Sequence, residues 1–250
     1  MSKTVFITGA TSGFGKAAVE MYANDGYKIV ALGRRKERLE ALQKEFSKSD
    51  IYTIALDVRD KKAIFEAIEN LPAEYKNIDI LINSAGLALG LEHAPEANLE
   101  DWEVMIDTNI KGLIYITKAI LPIMVKRKTG YIFNLGSTAG SWPYEGANVY
   151  GSTKAFVQQF SFNLRNDLRG TSIRVTNIEP GLAQTEFSNV RFKGDDAKAD
   201  TVYKGVKPLV AKDIANLIFT LSKLPEHVNV NSLEVMPTAQ TWAGLFVDKN

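Results

Sequence analysis

A tyrosine and a lysine stand four residues apart in the segment Tyr150–Lys154. On a helix this spacing places both side chains on one face. A phenol has a pKa near 10 and is a poor base at neutral pH, but a neighbouring ammonium favours the phenolate. Ser137 follows the apolar run Tyr131–Leu135 and supplies a hydroxyl that can stabilise a developing oxyanion. Together they predict proton exchange with an alcohol or carbonyl oxygen, in which Tyr150 is the acid and base and Lys154 lowers its pKa.

A glycine-rich turn follows the first apolar run of the chain. Glycines between a strand and a helix let the backbone approach a pyrophosphate, and the N-terminus of the helix offers free N–H groups. Thr11 and Ser12 can cap that helix and also donate to phosphate. The spacing Gly-x-x-x-Gly-x-Gly is a variant of the dinucleotide fingerprint, so it predicts a nicotinamide dinucleotide site. The residues expected to form this part of the site are Gly9, Thr11, Ser12, Gly13, Phe14 and Gly15.

The second apolar run ends at Gly33, Arg34 and Arg35, where an NAD site normally has an acidic residue. Guanidinium groups bind phosphate in a fork geometry, so we predict NADP as the cofactor, with both arginines near its 2′-phosphate. The alternative for Arg35 is that it simply begins the next helix on a solvated face. Asp57 and Val58, after the third apolar run, are expected to contact the adenine.

Continuous apolar runs alternate along the chain with amphipathic stretches of helical period. This alternation predicts an α/β fold: a single-domain, Rossmann-type, doubly wound parallel sheet of about seven strands with helices on both faces. A long helix is expected at about residues 99–128, with a kink or break at Pro122. Residues 182–207 follow a Pro-Gly step, are rich in charge and read as a long irregular loop, which we interpret as a mobile lid on a domain of residues 1–250.

The composition of the chain argues against several other classes of protein. The 250 residues carry a net charge of +1, which does not fit a general nucleic-acid binder. With 0 cysteines and 2 histidines, the chain has no thiolate or histidine-rich metal site, so no metal is predicted. A nucleophile elbow needs serine at the centre of Gly-x-Ser-x-Gly, whereas Ser137 is second in Gly136–Gly140. No leader and no long charge-free stretch is evident, so a cytoplasmic protein without a membrane span is expected.

The chain resembles the classical short-chain dehydrogenase/reductase family over nearly its whole length. The resemblance is carried by the glycine turn and by Asp57, Asn83-Ser84-Ala85-Gly86, Asn109, Ser137, Tyr150, Lys154 and Pro180-Gly181. It implies that Asn109 anchors a water and Lys154 in a proton relay, and that Lys154 holds the nicotinamide ribose. It also implies that Pro180, Gly181 and Thr185 lie against the nicotinamide. The family's usual Asn-Asn-Ala-Gly has serine at position 84 here, which alters the hydrogen bonds at that position and not the fold.

A closer resemblance, in residues 87–90, 140–144 and 186–192, is to the NADP-dependent 3-hydroxy acid dehydrogenases. It implies a small acidic substrate of the serine, allo-threonine or 3-hydroxypropionate type. Sulfoacetaldehyde reductases are similar in the same segments and provide the alternative substrate. An acidic substrate needs a basic residue in the pocket, and Arg191 is the first candidate and Lys193 the second. Trp142 and Tyr144 are expected either to form an apolar wall or to pack in the core.

Two further expectations concern partners. A redox-sensing protein that binds NADP and regulates a partner is the alternative of another class, but the presence of Ser137, Tyr150, Lys154 and Asn109 together favours an enzyme. The family resemblance implies a homotetramer or homodimer, built through the long helices at about residues 99–128 and 148–169. The apolar tail, residues 237–250 with Trp242 and Phe246, is expected to pack on a neighbour or to close over a pocket.

Overall fold

The computed structural model describes residues 2–242, so Phe246 and the end of the predicted tail lie outside the described residues. Seven strands form one parallel sheet: β1 Thr4–Thr8, β2 Lys28–Gly33, β3 Ile51–Ala55, β4 Ile78–Asn83, β5 Gly130–Leu135, β6 Ile173–Pro180 and β9 Ser232–Val235. A separate short parallel pair is formed by β7 Ala183–Gln184 and β8 Leu209–Val210. The order in the large sheet is β3-β2-β1-β4-β5-β6-β9, and the predicted fold class is confirmed.

Helices cover both faces of this sheet. They are α1 Gly13–Asn24, α2 Lys36–Glu45, α3 Lys61–Glu69, α4 Leu99–Ile106, α5 Leu113–Arg127, α6 Asn148–Asp167, α7 Phe187–Arg191, α8 Asp196–Thr201 and α9 Ala211–Ser222. Val5 and Ile7 of β1 pack into the core beneath α1 and α9, while Phe6 packs on the opposite side beneath α3, α5 and α6. Successive strand residues point to opposite faces, which is why the strands are apolar throughout.

The order of the strands reverses between β1 and β4, which lie side by side at the centre of the sheet. In open α/β sheets, ligands bind at such a reversal, in the crevice beyond the carboxyl ends of the strands. Thr8 ends β1 and pairs with Asn83 at the end of β4, so the glycine turn and the Asn83–Gly86 segment begin at the same edge. The topology therefore brings two segments 70 residues apart in the chain to one cleft.

The long helix differs from its prediction in the position of its irregularity. It runs without a break through Pro122, which lies inside α5, and the irregular part is a π-helical turn at Asp107–Gly112. A π-helical turn shifts the side chains that follow it and is frequent at functional sites. Asn109, one of the predicted site residues, lies in this turn.

The segment predicted to be an irregular lid contains ordered structure. Residues 182–207 hold β7, α7 and α8, and Lys193 and Gly194 between the two helices have positive φ. The sequence interpretation missed these helices because both are short, and helices of one or two turns carry little periodicity. The mobility of the segment stays a prediction.

The helical stretch Leu99–Arg127 is long and apolar enough, by length and composition alone, to cross a membrane. It contains no long charge-free run, because Lys111 and Lys118 interrupt it. Its inner side chains Ile116, Ile120 and Met124 are fully buried in the core on one face of the sheet. Packing in the core of the domain therefore accounts for the apolar character of this helix.

Candidate active site

One extended cleft opens at the carboxyl ends of β1 and β4. Its walls include predicted residues from every part of the chain: Gly9, Thr11, Ser12, Gly13, Phe14, Arg34, Arg35, Asp57, Val58, Ser84, Ser137, Tyr150, Lys154, Pro180, Gly181 and Thr185. The cleft runs from the two arginines at one end to Tyr150 at the other. Its length and lining suit an extended ligand with phosphates at one end.

The glycine turn forms the floor of this cleft. Gly9 and Gly13 have φ of +66° and +50°, a region that disfavours other residues. A Cβ on Gly15 would lie 2.3 Å from the carbonyl oxygen of Gly9, so Gly15 is needed for close packing of the turn rather than for lining the cleft. Ser12 is the N-cap residue of α1, but its side chain makes no capping hydrogen bond, contrary to expectation. The free N–H groups at this helix N-terminus are accessible because the neighbouring glycines have no side chains, and such a site suits a pyrophosphate.

The two arginines lie together at the outer end of the cleft. Arg35 donates from Nε and Nη2 to the hydroxyl of Thr11, at 3.4 and 3.2 Å. Arg34 approaches Asp57 at 3.7 Å and is otherwise largely exposed. A Cβ on Gly33 would lie 2.7 Å from Cγ2 of Thr11, so the glycine lets Thr11 pack against the end of β2. Arg35 is thus the N-cap residue of α2 and also lines the cleft.

Asp57 is held by a neighbouring arginine that the sequence interpretation did not single out. Arg59 donates to both carboxylate oxygens of Asp57, at 2.7 and 3.1 Å. Burial acts to raise the pKa of Asp57, but the hydrogen bonds and charge of Arg59 outweigh it and hold the pKa below its usual value. Asp57 is therefore a fixed carboxylate beside Val58 in the cleft wall.

Tyr150 and Lys154 lie on one face of α6, as their spacing predicts, and both are buried. Burial raises the pKa of Tyr150 to about 12, with a smaller contribution from Tyr144, against the hydrogen bond with Ser137 and the charge of Arg191. Burial also lowers the pKa of Lys154 to about 8. In the protein alone the phenol is thus protonated at neutral pH.

Lys154 is one of two cations close to Tyr150. Its ammonium donates to the carbonyl oxygen of Leu135 at 2.7 Å and lies 5.9 Å from the centroid of the Tyr150 ring. The other cation is Arg191 of α7, whose guanidinium carbon is 5.0 Å from the same centroid and whose charge acts to lower the pKa of the phenol. The lowering of that pKa by Lys154 stays a prediction.

Ser137 lies at the end of β5, in position to meet the oxygen that Tyr150 meets. Its hydroxyl accepts from the N–H of Ala139 at 3.1 Å, makes a long, 3.5 Å contact with the carbonyl oxygen of Pro180, and lies near enough to the phenol of Tyr150 to lower its pKa. The hydrogen of this hydroxyl is not fixed by one short hydrogen bond and can turn to another acceptor. The pair Ser137 and Tyr150 can converge on one substrate oxygen.

Asn109 lies in the π-helical turn, and its side-chain amide hydrogen-bonds to the backbone of a neighbouring segment. Its amide donates to the carbonyl oxygen of Leu87 at 2.8 Å and to the hydroxyl of Thr153 at 3.0 Å, and its oxygen accepts from the N–H of Leu87. A Cβ on Gly86 would lie 3.3 Å from Oδ1 of Asn109 and 3.5 Å from Nζ of Lys154, so both polar groups border the space above Gly86. The water relay implied by the family resemblance stays a prediction.

The residues Asn83 and Ser84 have different roles. The side chain of Asn83 is buried and donates to Thr117 and Asn134, at 3.1 and 2.9 Å, so it ties β4 to β5 and α5 and does not enter the cleft. Ser84 lines the cleft, and its N–H donates to the hydroxyl of Thr8 at 3.0 Å. Of these two residues, both expected from the family resemblance to belong to the cofactor site, the structure brings only Ser84 to the cleft.

Arg191 and Tyr144 meet above Tyr150. Nη2 of Arg191 donates to the hydroxyl of Tyr144 at 2.9 Å. Nε of Arg191 is buried and has no hydrogen-bond partner among the residues that the structure describes. A buried cationic donor without an acceptor is costly unless a ligand supplies one. Arg191 lies outside the lining of the cleft itself, but its contact with Tyr150 and its unpartnered Nε make it the candidate for binding an anionic group of the substrate.

The other two substrate candidates lie elsewhere. Trp142 donates through Nε1 to Glu234 at 2.8 Å and is 37% exposed, outside the lining of the cleft. The ammonium of Lys193 pairs with Asp101 at 2.7 Å, so it is already neutralised by the protein. Both side chains are thus engaged with acidic residues of the protein, and Arg191 remains the better-placed substrate candidate.

Four cleft-side residues were missed by sequence reasoning. Thr108 lines the cleft with a buried hydroxyl that lacks a partner within residues 2–242, and Phe187 packs its ring 5.5 Å from that of Tyr150. Glu186 lines the cleft beside Arg35, and Arg38 of α2 binds Glu186 from outside. Glu186 and Phe187 belong to the segment 186–192 that carries the closer resemblance, but no spacing marks any of the four, because each acquires its neighbours from a distant part of the chain.

The fold and this cleft define a dehydrogenase of the Rossmann type, and comparison with known proteins agrees. Residues 3–196 match the family model described as short chain dehydrogenase, and the chain belongs to that family. The NADP-dependent 3-hydroxy acid dehydrogenase YdfG of Escherichia coli (strain K12) is 56% identical over 246 residues, which cover 98% of this chain and 99% of that protein. Sulfoacetaldehyde reductase 2 of Chromohalobacter salexigens is 52% identical, with 100% of both chains covered.

Solved structures lead to the same family. The closed form of serine dehydrogenase complexed with NADP+ has a TM-score of 0.95 and 56% identity, and the match covers 99% of this chain and 100% of that one. The crystal structure of serine dehydrogenase from Escherichia coli has a TM-score of 0.84 and 51% identity, with 96% of this chain and 100% of that one covered.

Proposed function

We propose that this short-chain dehydrogenase is an NADP(H)-dependent oxidoreductase that interconverts a small acidic 3-hydroxy acid and its aldehyde or keto form. The observation that carries the proposal is the guanidinium of Arg191, which lies 5.0 Å from the ring of Tyr150 with its Nε buried and unpartnered among the described residues. A hydroxyl group that reacts at Tyr150 is then within reach of a cation that binds the acid group of the same molecule.

The residues of the cleft fit NADP. The Gly9–Gly15 turn brings the uncapped N-terminus of α1 to the cleft, which suits a pyrophosphate, and the exposed fork of Arg34 and that of Arg35 suit a 2′-phosphate. Asp57 and Val58 flank the adenine end, while Ser84, Lys154, Gly181 and Thr185 line the opposite part of the cleft, toward Tyr150. When bound, the nicotinamide supplies or accepts the hydride.

The protein's own groups handle the proton and the charge. In the direction of reduction, the protonated phenol of Tyr150 donates its hydrogen to the carbonyl oxygen of the substrate. The hydroxyl of Ser137 turns from Pro180 to the same oxygen and stabilises its negative charge. Arg191 binds the acid group and fixes the distance between that group and the reacting carbon. Oxidation requires the reverse transfer, from the alcohol to the phenolate.

Sulfoacetaldehyde reduction is the second candidate, because a sulfonate is an anion that the same guanidinium can bind and because a reductase of that name is 52% identical along the full chain. A regulatory NADP-binding protein is the alternative of another class. The experiment is a steady-state comparison of NADPH oxidation with malonic semialdehyde, sulfoacetaldehyde and uncharged propanal, and of NADP+ reduction with serine, 3-hydroxypropionate and isethionate. A large preference for acidic substrates is expected, and absence of turnover with all of them would contradict an enzyme of this class.

A further inference from the structure

Glu186 lies between two arginines at the outer end of the cleft. Its carboxylate receives a hydrogen bond from Nη1 of Arg35 at 3.1 Å, and Nη1 of Arg38 donates to both of its oxygens, at 2.6 and 2.8 Å. Burial acts to raise the pKa of Glu186, but the hydrogen bonds from Arg38 and Arg35 reverse this effect and hold the pKa below its usual value. Glu186 is therefore a carboxylate anion in the wall of the proposed cofactor site.

A negative charge at this position conflicts with the proposed ligand. Arg35 and Glu186 both line the cleft, and the 2′-phosphate expected at Arg35 carries its own negative charge. Two anions that share one guanidinium repel each other, which would weaken binding of the phosphorylated cofactor. The structure contains the group that resolves this conflict, namely the guanidinium of Arg38, which lies outside the cleft lining and contacts both oxygens of the carboxylate.

The donors of Arg35 are compatible with both anions at once. A guanidinium has five N–H donors. Arg35 uses Nε and Nη2 toward Thr11 and Nη1 toward Glu186, which leaves a second hydrogen on each Nη. The charges also balance: four arginines surround two carboxylates in the set Arg34, Arg35, Arg38, Arg59, Asp57 and Glu186, a net charge of two positive. A phosphate monoester of about two negative charges neutralises that set.

We propose that Arg38 is a specificity-determining residue for NADP that acts without touching it, by neutralising Glu186 so that Arg35 can bind the 2′-phosphate. This inference rests on the proposed NADP binding and extends it to a pair of residues outside the fingerprint. Without Arg38, Glu186 has only Arg35 as a partner and competes with the phosphate for that guanidinium. The competition affects the phosphorylated cofactor and leaves the unphosphorylated one unaffected.

The test is a fluorescence titration of the purified protein with NADPH and with NADH, which needs no substrate. Arg38→Met is expected to raise the Kd for NADPH by about three- to fivefold, the upper range for a half-exposed charge pair, and to change the Kd for NADH by less than about 1.5-fold. Adding Glu186→Gln to this variant is expected to restore the Kd for NADPH, because the competing charge is then gone. Arg38→Lys keeps the charge and is expected to retain most of the affinity.

Lys36→Met is the matched control. Lys36 lies on the same helix, loses the same charge on substitution, and its ammonium is 3.9 Å from Glu40 and not bound to Glu186. An equal loss of affinity for NADPH in this variant would mean that net charge alone matters and would overturn the inference. So would an equal loss for NADH and NADPH in Arg38→Met, or a double variant as weak as the single one. Failure of the unaltered protein to bind NADPH would instead contradict the proposed function.

Discussion

The guanidinium carbon of Arg191 lies 5.0 Å from the centroid of the Tyr150 ring, closer than the ammonium of Lys154 at 5.9 Å. The residue proposed to bind the substrate's acid group is therefore also the cation nearest to the proposed acid and base. An anion bound to Arg191 offsets part of that positive charge. We therefore expect Arg191 both to bind an acidic substrate and to act on the pKa of Tyr150.

Replacing Arg191 is expected to reduce turnover of acidic substrates more than turnover of neutral ones. Arg191→Met is expected to lower kcat/KM for malonic semialdehyde by about 100-fold, the range of one charge-assisted hydrogen bond, and that for propanal by much less. Lys193→Met is the matched control, since the ammonium of Lys193 is bound to Asp101 at 2.7 Å. Equal losses for the acidic and the neutral aldehyde would remove Arg191 from the substrate site.

Removing the phenolic oxygen of Tyr150 tests the proton transfer. Tyr150→Phe keeps the ring that packs 5.5 Å from Phe187, so the cleft is expected to keep its shape. Turnover is expected to fall by at least about 1,000-fold, because no other group can supply the proton at that place. The Kd for NADPH, measured by fluorescence, is expected to stay within about threefold. A variant that keeps near-normal turnover would contradict the role of Tyr150.

Lys154 is expected to lower the stability of the protein at neutral pH. Its pKa in the folded state is about 8, against 10.5 ordinarily, so keeping its charge buried costs about 3 kcal/mol below pH 8. Between these two values the unfolded chain binds a proton that the native one has lost, and the free energy of unfolding contributed by this group rises with pH.

Lys154→Met therefore removes both a buried charge and the donor to Leu135. The lost hydrogen bond costs about 1 kcal/mol, which leaves a net gain of about 1–2 kcal/mol in the free energy of unfolding at pH 7. We expect this gain to shrink as the pH rises to about 10, while turnover is lost at every pH. Urea unfolding at several pH values measures it. A variant that is equally destabilised at pH 7 and pH 10 would contradict the sign of the lysine's contribution.

The cofactor preference depends on the two arginines after β2. Arg34→Ala and Arg35→Ala are each expected to weaken NADPH binding by about 10- to 100-fold and to change NADH binding little. Cofactor titrations measure this, and an unchanged Kd for NADPH in both variants would contradict the phosphate assignment.

Introducing Gly33→Asp to favour NADH is expected to destabilise the protein, because a Cβ there would lie 2.7 Å from Cγ2 of Thr11. Combining it with Thr11→Ser removes that methyl group and is expected to recover part of the stability. Thermal unfolding of the single and the double variant measures this, and a Gly33→Asp variant as stable as the unaltered protein would contradict the expected clash.

Local sequence patterns determine much of the architecture. Apolar runs of strand length alternate with amphipathic stretches, and glycines with the fingerprint spacing stand between the first strand and helix. These patterns act over a few residues, so they predicted a sheet of about seven strands and a dinucleotide site at the turn after the first strand. The spacing of Tyr150 and Lys154 likewise follows from one helix.

What only the tertiary structure decided is which distant charges meet. Sequence spacing predicts that Lys154 shares a helix face with Tyr150. It does not show that the ammonium of Lys154 donates to Leu135, or that Arg191 of a distant segment lies beside the ring of Tyr150. Spacing also gives no sign that Glu186 reaches Arg38, a residue 148 positions earlier. Electrostatic effects depend on distance and burial, which the chain acquires only on folding, and the pKa values and charge pairs of this site arise there.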